Sequence, residues 1–279
     1  MTDHDTRQSF RAMHQAPGAF VIPNAWDAGS ARVLEALGFQ ALATTSAGYA
    51  FSAGKRDSTG GLTRSELLTN AEAINAATSL PVSADLEDGF GAAPEVCADT
   101  IRMAADLGLA GGSIEDATGD PAHPIYDFGL AVDRIAAASE AARDSGFVLT
   151  ARAENHINGL SSFDDTLRRL HAYAAAGADV VFAPGLPGLD TIAQTCAEVA
   201  CPVNVLMGLS GPRYAVDELA KAGAKRISVG GSFARAAWGA FIRAATEVRD
   251  HGTFDYAADA IPDAEIAALM APTPLTKRT

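Results

Sequence analysis

Residues 81–91 begin with a short apolar segment, which is followed by three carboxylates. Side chains alternate along a strand, so Asp85 and Glu87 should point the same way while Leu86 points to the opposite face. Two carboxylates aimed into one space repel each other unless a proton or a cation lies between them. All-oxygen donors suit a hard divalent ion such as Mg²⁺, with Mn²⁺ as a second possibility. An acidic, solvated loop is the alternative interpretation.

Two further apolar segments also end in charged residues. Glu115 follows 111–114 and could supply a third carboxylate to the same ion, or act as a first-turn acid of the next helix. Arg152 ends 147–152, where a cation is otherwise unusual. Glu154 shares the face of Arg152 and could hold it in a buried ion pair. Arg152 is therefore either a cation that acts on a ligand or one half of a structural pair.

Small residues follow another predicted strand. Ser46, Ala47 and Gly48 offer backbone N–H groups and one hydroxyl in a small-residue turn. Such a turn can hold a carboxylate or phosphonate. A simple tight turn without a ligand remains equally compatible with three small residues.

The elements that must position these residues repeat one pattern of helix, glycine, short apolar strand and polar loop. The predicted strands are 19–22, 41–45, 82–85, 111–114, 147–152, 179–182, 203–206 and 226–229. The predicted helices include 64–78, 94–107, 130–144, 163–176, 188–199 and 213–222. Apolar strands that alternate with helices imply a parallel sheet. Eight such units predict a closed (β/α)₈ TIM barrel, whose active site lies at the carboxyl ends of the strands.

Domain organisation is predicted to be simple. No shift in composition marks a boundary within residues 1–279, so we expect a single barrel domain. A short C-terminal helical extension is expected from about residue 255.

Composition limits the possible partners. The 279 residues carry a formal net charge of −13, which argues against nucleic acid or an anionic membrane as partner. The polar N-terminus lacks the pattern of a signal peptide, and no apolar stretch is long enough to span a bilayer convincingly. The three cysteines have neither disulfide nor zinc spacing. We therefore expect a cytoplasmic protein.

Residue types that are missing from the ends of the predicted strands also exclude some reaction classes. None of the four lysines lies at the end of a predicted strand, which argues against a Schiff-base aldolase. The Gly- and Pro-containing loop 117–129 follows the fourth predicted strand and is interpreted as a lid over the site. His123 and His156 follow the fourth and fifth strands and could transfer protons, although surface positions are the commoner outcome.

Five stretches taken together resemble the isocitrate lyase/phosphoenolpyruvate mutase superfamily. They are 23–27 (Pro-Asn-Ala-Trp-Asp), 44–48 (Thr-Thr-Ser-Ala-Gly), 84–91 (Ala-Asp-Leu-Glu-Asp-Gly-Phe-Gly), 113–116 (Ser-Ile-Glu-Asp) and 150–152 (Thr-Ala-Arg). The likeness covers nearly the whole chain, and the order of the motifs makes it specific. The resemblance implies a (β/α)₈ barrel whose last helix is swapped between subunits of a homodimer or homotetramer. It also implies Mg²⁺ and a small 2-oxo acid or its enolate as ligands.

The resemblance also implies roles for single residues. The implied metal ligands, direct or through water, are Asp85, Glu87 and Glu115. The implied catalytic residues are Asp57, Glu115 and Arg152. The implied substrate-binding residues are Ser46, Ala47, Gly48, Tyr49, Arg152 and Asn204, and His156 is a further possible contact. A metal and an arginine together would stabilise the negative charge of an enolate.

The chain departs from parts of the family pattern. The isocitrate and methylisocitrate lyases of the family carry a lid motif, Lys-x-Cys-Gly-His, that supplies an acid/base cysteine. The run 116–123 contains no lysine and no cysteine. We therefore expect C–C cleavage or decarboxylation of an oxaloacetate-like acid. P–C bond chemistry on a phosphonate, and a non-catalytic protein that binds 2-oxo acids, are the alternatives.

Overall fold

A parallel barrel forms the body of the protein. The computed structural model describes residues 2–57, 61–160, 162–209 and 211–271. Within these residues the strands are β1 Phe20–Ile22, β2 Asn24–Ala25, β3 Leu42–Thr44, β4 Val82–Asp85, β5 Gly111–Glu115, β6 Val148–Arg152, β7 Val180–Phe182, β8 Val203–Leu206 and β9 Arg226–Ser228. All pairings are parallel, in the order β1-β9-β8-β7-β6-β5-β4-β3-β2.

The sheet is closed by one segment of chain that contributes two strands. β1 pairs with β9 and β2 pairs with β3, while Pro23 lies between them. Proline has no N–H to donate to a ladder, so it interrupts the strand. The carbonyl of Pro23 still accepts a hydrogen bond from Ala43 N at 2.9 Å. The barrel prediction is confirmed, and the structure adds the short strand β2, which was not predicted, after the first predicted strand.

Helices alternate with the strands around the barrel. They are α1 Asp3–Gln15, α2 Ala28–Ala36, α3 Ser46–Ser52, α4 Arg64–Ala77, α5 Pro94–Asp106, α6 Phe128–Arg143, α7 Phe163–Ala175, α8 Leu189–Glu198, α9 Val216–Lys221, α10 Ser232–His251 and α11 Asp263–Leu269, with a 3₁₀ turn at Asp255–Ala258. Side-chain caps begin several of them, for example Asp27 at α2 and Thr63 at α4. None of these helices is long and apolar enough to cross a membrane.

Two apolar clusters hold the layers together. The larger lies between sheet and helices and includes Leu86, Ile101 and Leu149, all fully buried. The smaller fills the amino-terminal end of the barrel, where Phe10 of α1 packs with Val148 and other small or branched side chains. Because α1 covers that end, the barrel is open only at the carboxyl ends of its strands.

The C-terminal part of the chain begins with α10, which is mostly exposed, and ends with α11, which contacts α2. Along α10 only Ala234 is buried, and Phe241 and Ile242 are largely exposed. The 3₁₀ turn and α11 follow, in the region where a helical extension is predicted from about residue 255. Residues 272–279, which the domain prediction also includes, lie outside the described residues. The swap of the last helix between subunits stays a prediction.

Candidate active site

A cavity of about 400 Å³ lies at the carboxyl ends of the strands. The sequence-predicted site residues that line it are Ser46, Ala47, Asp57, Asp85, Glu87, Glu115, Arg152 and Asn204. Gly48, Tyr49 and His156 are not among its lining residues. Their roles in substrate binding stay predictions, without support from their positions.

Arg152 lies at the centre of three carboxylates. At the end of β6 its Nη1 donates to Asp85 Oδ1 at 3.0 Å, and its Nε donates to Glu154 Oε1 at 2.9 Å. Its Nη2 lies 3.0 Å from Glu115 Oε2. Neighbouring strands β4, β5 and β6 thus bring together side chains that are distant in sequence. The three carboxylates raise the pKa of Arg152 against the opposing effect of burial, so the guanidinium remains charged.

Asp85 is held from the opposite side by the start of α3. Its Oδ2 accepts hydrogen bonds from Ser46 N at 3.1 Å and Ser46 Oγ at 2.9 Å. Its own N–H donates to Thr44 Oγ1 at 2.9 Å. The structure therefore differs from the expected carboxylate-binding turn, because residues 46–48 form the first turn of a helix. The polar groups of Ser46 orient Asp85 in this arrangement.

Gly48 is required by close packing in α3. A Cβ there would lie 2.7 Å from Thr45 Cγ2 and 2.9 Å from Trp26 Cβ. Real Cβ atoms do not approach other atoms this closely, so a larger residue would push α3 away from its neighbours. Gly48 thus sets how near Ser46 comes to Asp85.

Glu87 reaches the cavity by a turn. β4 ends at Asp85, and Glu87 has a φ of 49°, in the left-handed region that non-glycine residues seldom adopt. Leu86 is fully buried on the opposite side, as strand alternation predicts. Burial, together with the negative charges of Asp85, Asp88 and Asp57, raises the pKa of Glu87 to about 8. Asp57 responds in the same way: burial, then the charge of Asp85, raise its pKa.

The site holds more acid groups than one guanidinium can neutralise. Burial raises the pKa of Glu115 and of Glu154, although Arg152 opposes the rise at both. Crowded carboxyls retain protons or attract cations. The oxygen donors of Asp85, Glu87 and Glu115, with this excess of negative charge, fit a hard divalent cation. As placed in the described residues they do not form a ready metal cluster, and Arg152 lies between Asp85 and Glu115.

A buried network beneath the site was not predicted from the sequence. Asp116 is 3% exposed and accepts hydrogen bonds from Glu154 N at 2.7 Å, Tyr173 Oη at 2.6 Å and Arg169 Nη1 at 2.9 Å. Asp116 therefore fixes the backbone of the residue that holds Arg152. An aspartate directly after a strand glutamate was the available signal, but its partners lie on α7, far away in sequence.

The predicted lid is anchored to the same acidic region. Ala117 and Gly119 line the cavity, and Tyr126 Oη donates to Asp88 Oδ2 at 2.9 Å. The segment ends earlier than predicted, because residues 128 and 129 belong to α6. His123 is exposed and lies beside Asp120, so it does not reach the cavity.

The second residue missed by sequence reasoning is Arg226. Together with Ser228, it faces the interior from β9 and lines the cavity. An arginine at the start of the predicted strand 226–229 was the signal that could have found it. Asn204, which the resemblance assigns to substrate binding, accepts a hydrogen bond from Arg226 Nε at 2.8 Å and donates to Ser228 Oγ at 2.9 Å.

The chain is similar to known proteins over most of its length. Residues 10–249 match the family described as phosphoenolpyruvate phosphomutase. A solved structure from Burkholderia cenocepacia J2315, given as a lyase/mutase, has 53% sequence identity and a TM-score of 0.94, covering 98% of this chain and 97% of that one.

Two enzyme names occur among the curated relatives. A 2-methylisocitrate lyase from Shewanella oneidensis is 33% identical over 206 residues, which are 71% of this chain and 69% of that protein. An oxaloacetate decarboxylase from Bradyrhizobium diazoefficiens is 30% identical over 227 residues, which are 79% of this chain and 77% of that protein.

Proposed function

The chain belongs to the isocitrate lyase/phosphoenolpyruvate mutase superfamily, and from this premise we propose that it is a Mg²⁺-dependent lyase acting on a small 2-oxo or 2-hydroxy acid. The reaction is C–C cleavage or decarboxylation through an enolate, with an oxaloacetate-like substrate. The observation that carries the proposal is Arg152, a partly buried cation held among three carboxylates on the wall of a closed-ended cavity.

Arg152 is suited to stabilise an enolate oxygen. Three contacts fix its guanidinium, so no reorganisation is needed when charge develops on the substrate. Two of its five N–H groups have no acceptor among the described residues and can donate to substrate oxygens. Phe182 packs against the guanidinium, with its ring centroid 5.2 Å from Cζ.

The carboxylates beside Arg152 complete the site. Asp85, Glu87 and Glu115 would hold the cation, with Asp57 beside them. A bound Mg²⁺ would supply a Lewis acid to the substrate carbonyl. Ser46 keeps Asp85 oriented, and Asp116 keeps Glu154 in place beneath Arg152.

The lid favours a small substrate. The segment after Asp116 carries no cysteine or lysine that could protonate a large leaving group, and its one histidine points to solvent. Similarity to an oxaloacetate decarboxylase supports this substrate class. Because the family match is described by a phosphomutase, P–C chemistry on a phosphonate is the second candidate.

A panel of acids tests the proposal. Oxaloacetate, a malate analogue, methylisocitrate and phosphonopyruvate would each be incubated with the protein, with Mg²⁺ or a chelator, and products followed by NMR. We expect chelator-sensitive turnover of an oxaloacetate-like acid that is lost in Arg152→Met and retained in Arg102→Met, a change at an exposed arginine on α5. Turnover of phosphonopyruvate alone would select P–C chemistry. Turnover of no acid, with oxalate still bound in the presence of Mg²⁺, would indicate either a substrate outside the panel or a non-catalytic protein that binds 2-oxo acids.

The quaternary structure that we propose is a homodimer or homotetramer in the cytoplasm. Support comes from α10, where Trp238, Phe241 and Ile242 expose apolar surface to solvent. Light scattering would give the mass of the assembly directly.

A further inference from the structure

Arg226 is a buried cation for which no carboxylate serves as a partner among the described residues. It is 5% exposed and begins β9, towards the closed end of the barrel. Its Nε donates to Asn204 Oδ1 at 2.8 Å, its Nη2 to Thr150 Oγ1 at 2.8 Å, and its Nη1 lies 3.4 Å from His14 Nε2. All three partners are neutral or polar groups, so its charge is uncompensated.

His14 does not supply a counter-charge. Its Nδ1 donates to the Phe10 carbonyl at 2.8 Å, which leaves Nε2 as an acceptor for Arg226. Burial and the charge of Arg226 lower the pKa of His14 to about 3, so the ring is neutral. Burial lowers the pKa of Arg226 to about 9, which leaves the guanidinium charged at neutral pH. An isolated buried charge is costly unless an opposite charge approaches it.

The other buried arginines, and the partly buried Arg152, are satisfied differently. Arg152 and Arg169 pair with carboxylates. Arg7 and Arg134 donate to backbone carbonyls away from the cavity or beneath the lid. Arg226 alone among these five lines the cavity without a carboxylate, and two of its five N–H groups have no acceptor among the described residues.

Arg226 lies one interior layer below Arg152. Its contact, Thr150, precedes Arg152 by two residues on β6, a separation of about 7 Å along the strand. The same cavity is lined by both arginines. A short dicarboxylic acid can span this distance, so one molecule could meet both cations.

We propose that Arg226 forms an anion-binding subsite at the floor of the cavity, which takes a carboxylate group or a small inorganic anion. Asn204 and Thr150 orient the guanidinium by accepting hydrogen bonds from two of its N–H groups. Where the occupant is the second carboxylate of a substrate, the subsite rests on the proposed function. Binding of a free anion does not.

Titration calorimetry with a chelator present tests the subsite without lyase chemistry. The probes are acetate, bromide and succinate. We expect saturable binding to the unaltered protein and to Arg7→Met, which removes a buried arginine outside the cavity. Binding should be at least tenfold weaker in Arg226→Met, with circular dichroism used to verify its fold.

A second variant retains the arginine. Asn204→Asp is nearly isosteric and places a carboxylate against Nε, so it should abolish anion binding by supplying the missing counter-charge. Asn158→Asp adds the same charge at the exposed rim of the cavity and should change affinity less than threefold.

The probes identify the source of the anion. If succinate binds at least tenfold more tightly than acetate, and this gain is lost in Arg226→Met, the occupant of the subsite is the second carboxylate of a diacid. If bromide displaces acetate and succinate binds no more tightly than acetate, the occupant is a free anion. No saturable binding of any probe to the unaltered protein, or equal affinities in Arg226→Met, would overturn the subsite. Neither failure affects the acid-panel test of the lyase.

Discussion

Binding of Mg²⁺ should release a proton from Glu87, and the amount should depend on pH. The pKa of Glu87 is about 8 because burial and the neighbouring Asp85, Asp88 and Asp57 disfavour its charged form. Glu87 therefore carries about 0.9 proton at pH 7 and about 0.1 at pH 9. A cation among the carboxylates favours the ionised form and displaces that proton.

The assay is calorimetric titration of Mg²⁺ into the protein in two buffers that differ in ionisation enthalpy. The difference in heat gives the number of protons released. We expect the number attributable to Glu87 to fall by about 0.8 between pH 7 and pH 9. Glu87→Gln should remove this pH-dependent part, and Glu95→Gln, at the exposed start of α5, should leave it unchanged.

The raised pKa of Glu87 also predicts how the stability of the fold depends on pH when a chelator is present. The folded pKa lies above the ordinary value of 4.5, so between about pH 4.5 and 8 the folded protein holds a proton that the unfolded chain has lost. Stability contributed by Glu87 should therefore fall as pH rises through this window, and Mg²⁺ should oppose the loss. Proton release that is zero, or equal at pH 7 and pH 9, would refute this account of the acidic cluster.

Three further substitutions have expected outcomes. Arg152→Lys keeps the charge but loses the forked contacts, so kcat on a turned-over acid should fall by about 10²–10³-fold. Arg169→Met leaves Asp116 buried and unpaired, and denaturant titration should show a loss of about 3–5 kcal/mol. Gly48→Ala should destabilise by about 1–3 kcal/mol through its clash with Thr45, whereas Gly129→Ala, in open space on α6, should not destabilise. A stable Arg169→Met protein, a fully active Arg152→Lys protein or equal effects of the two alanines would contradict these assignments.

The barrel was predictable because its signals are local. Glycines after helices, such as Gly38 and Gly177, adopt positive φ as C-terminal caps require, and the strands lie within a few residues of their expected bounds. The segment after Pro23 is the exception: it forms β2, which was not predicted, and its pairing with β3 appears only when both neighbours of that segment are known.

The site was predictable only in part, because contacts between strands are not visible in sequence. Asp85, Glu115 and Arg152 meet because parallel register places their strand ends side by side. The orientation of Ser46 towards Asp85 depends on α3 beginning where a turn was expected. The partners of Asp116 on α7, and the exposed position of His123, required the structure.

Arg226 illustrates a different limit of prediction from sequence. Its strand was predicted, but a single arginine in a strand does not reveal whether a carboxylate faces it. That information lies in β6, β8 and α1 together, which surround the guanidinium with neutral groups.

Binding of oxalate, an enolate mimic, tests the central claim most directly. Calorimetric titration of the unaltered protein with Mg²⁺, and again with a chelator, should give an affinity at least tenfold higher with the cation. Asp85→Asn, which keeps the shape of the side chain that Ser46 and Arg152 hold, should abolish that difference without unfolding the protein. Equal oxalate affinity with and without Mg²⁺, or an unchanged Mg²⁺ effect in Asp85→Asn, would contradict a cation-assisted enolate site at these carboxylates.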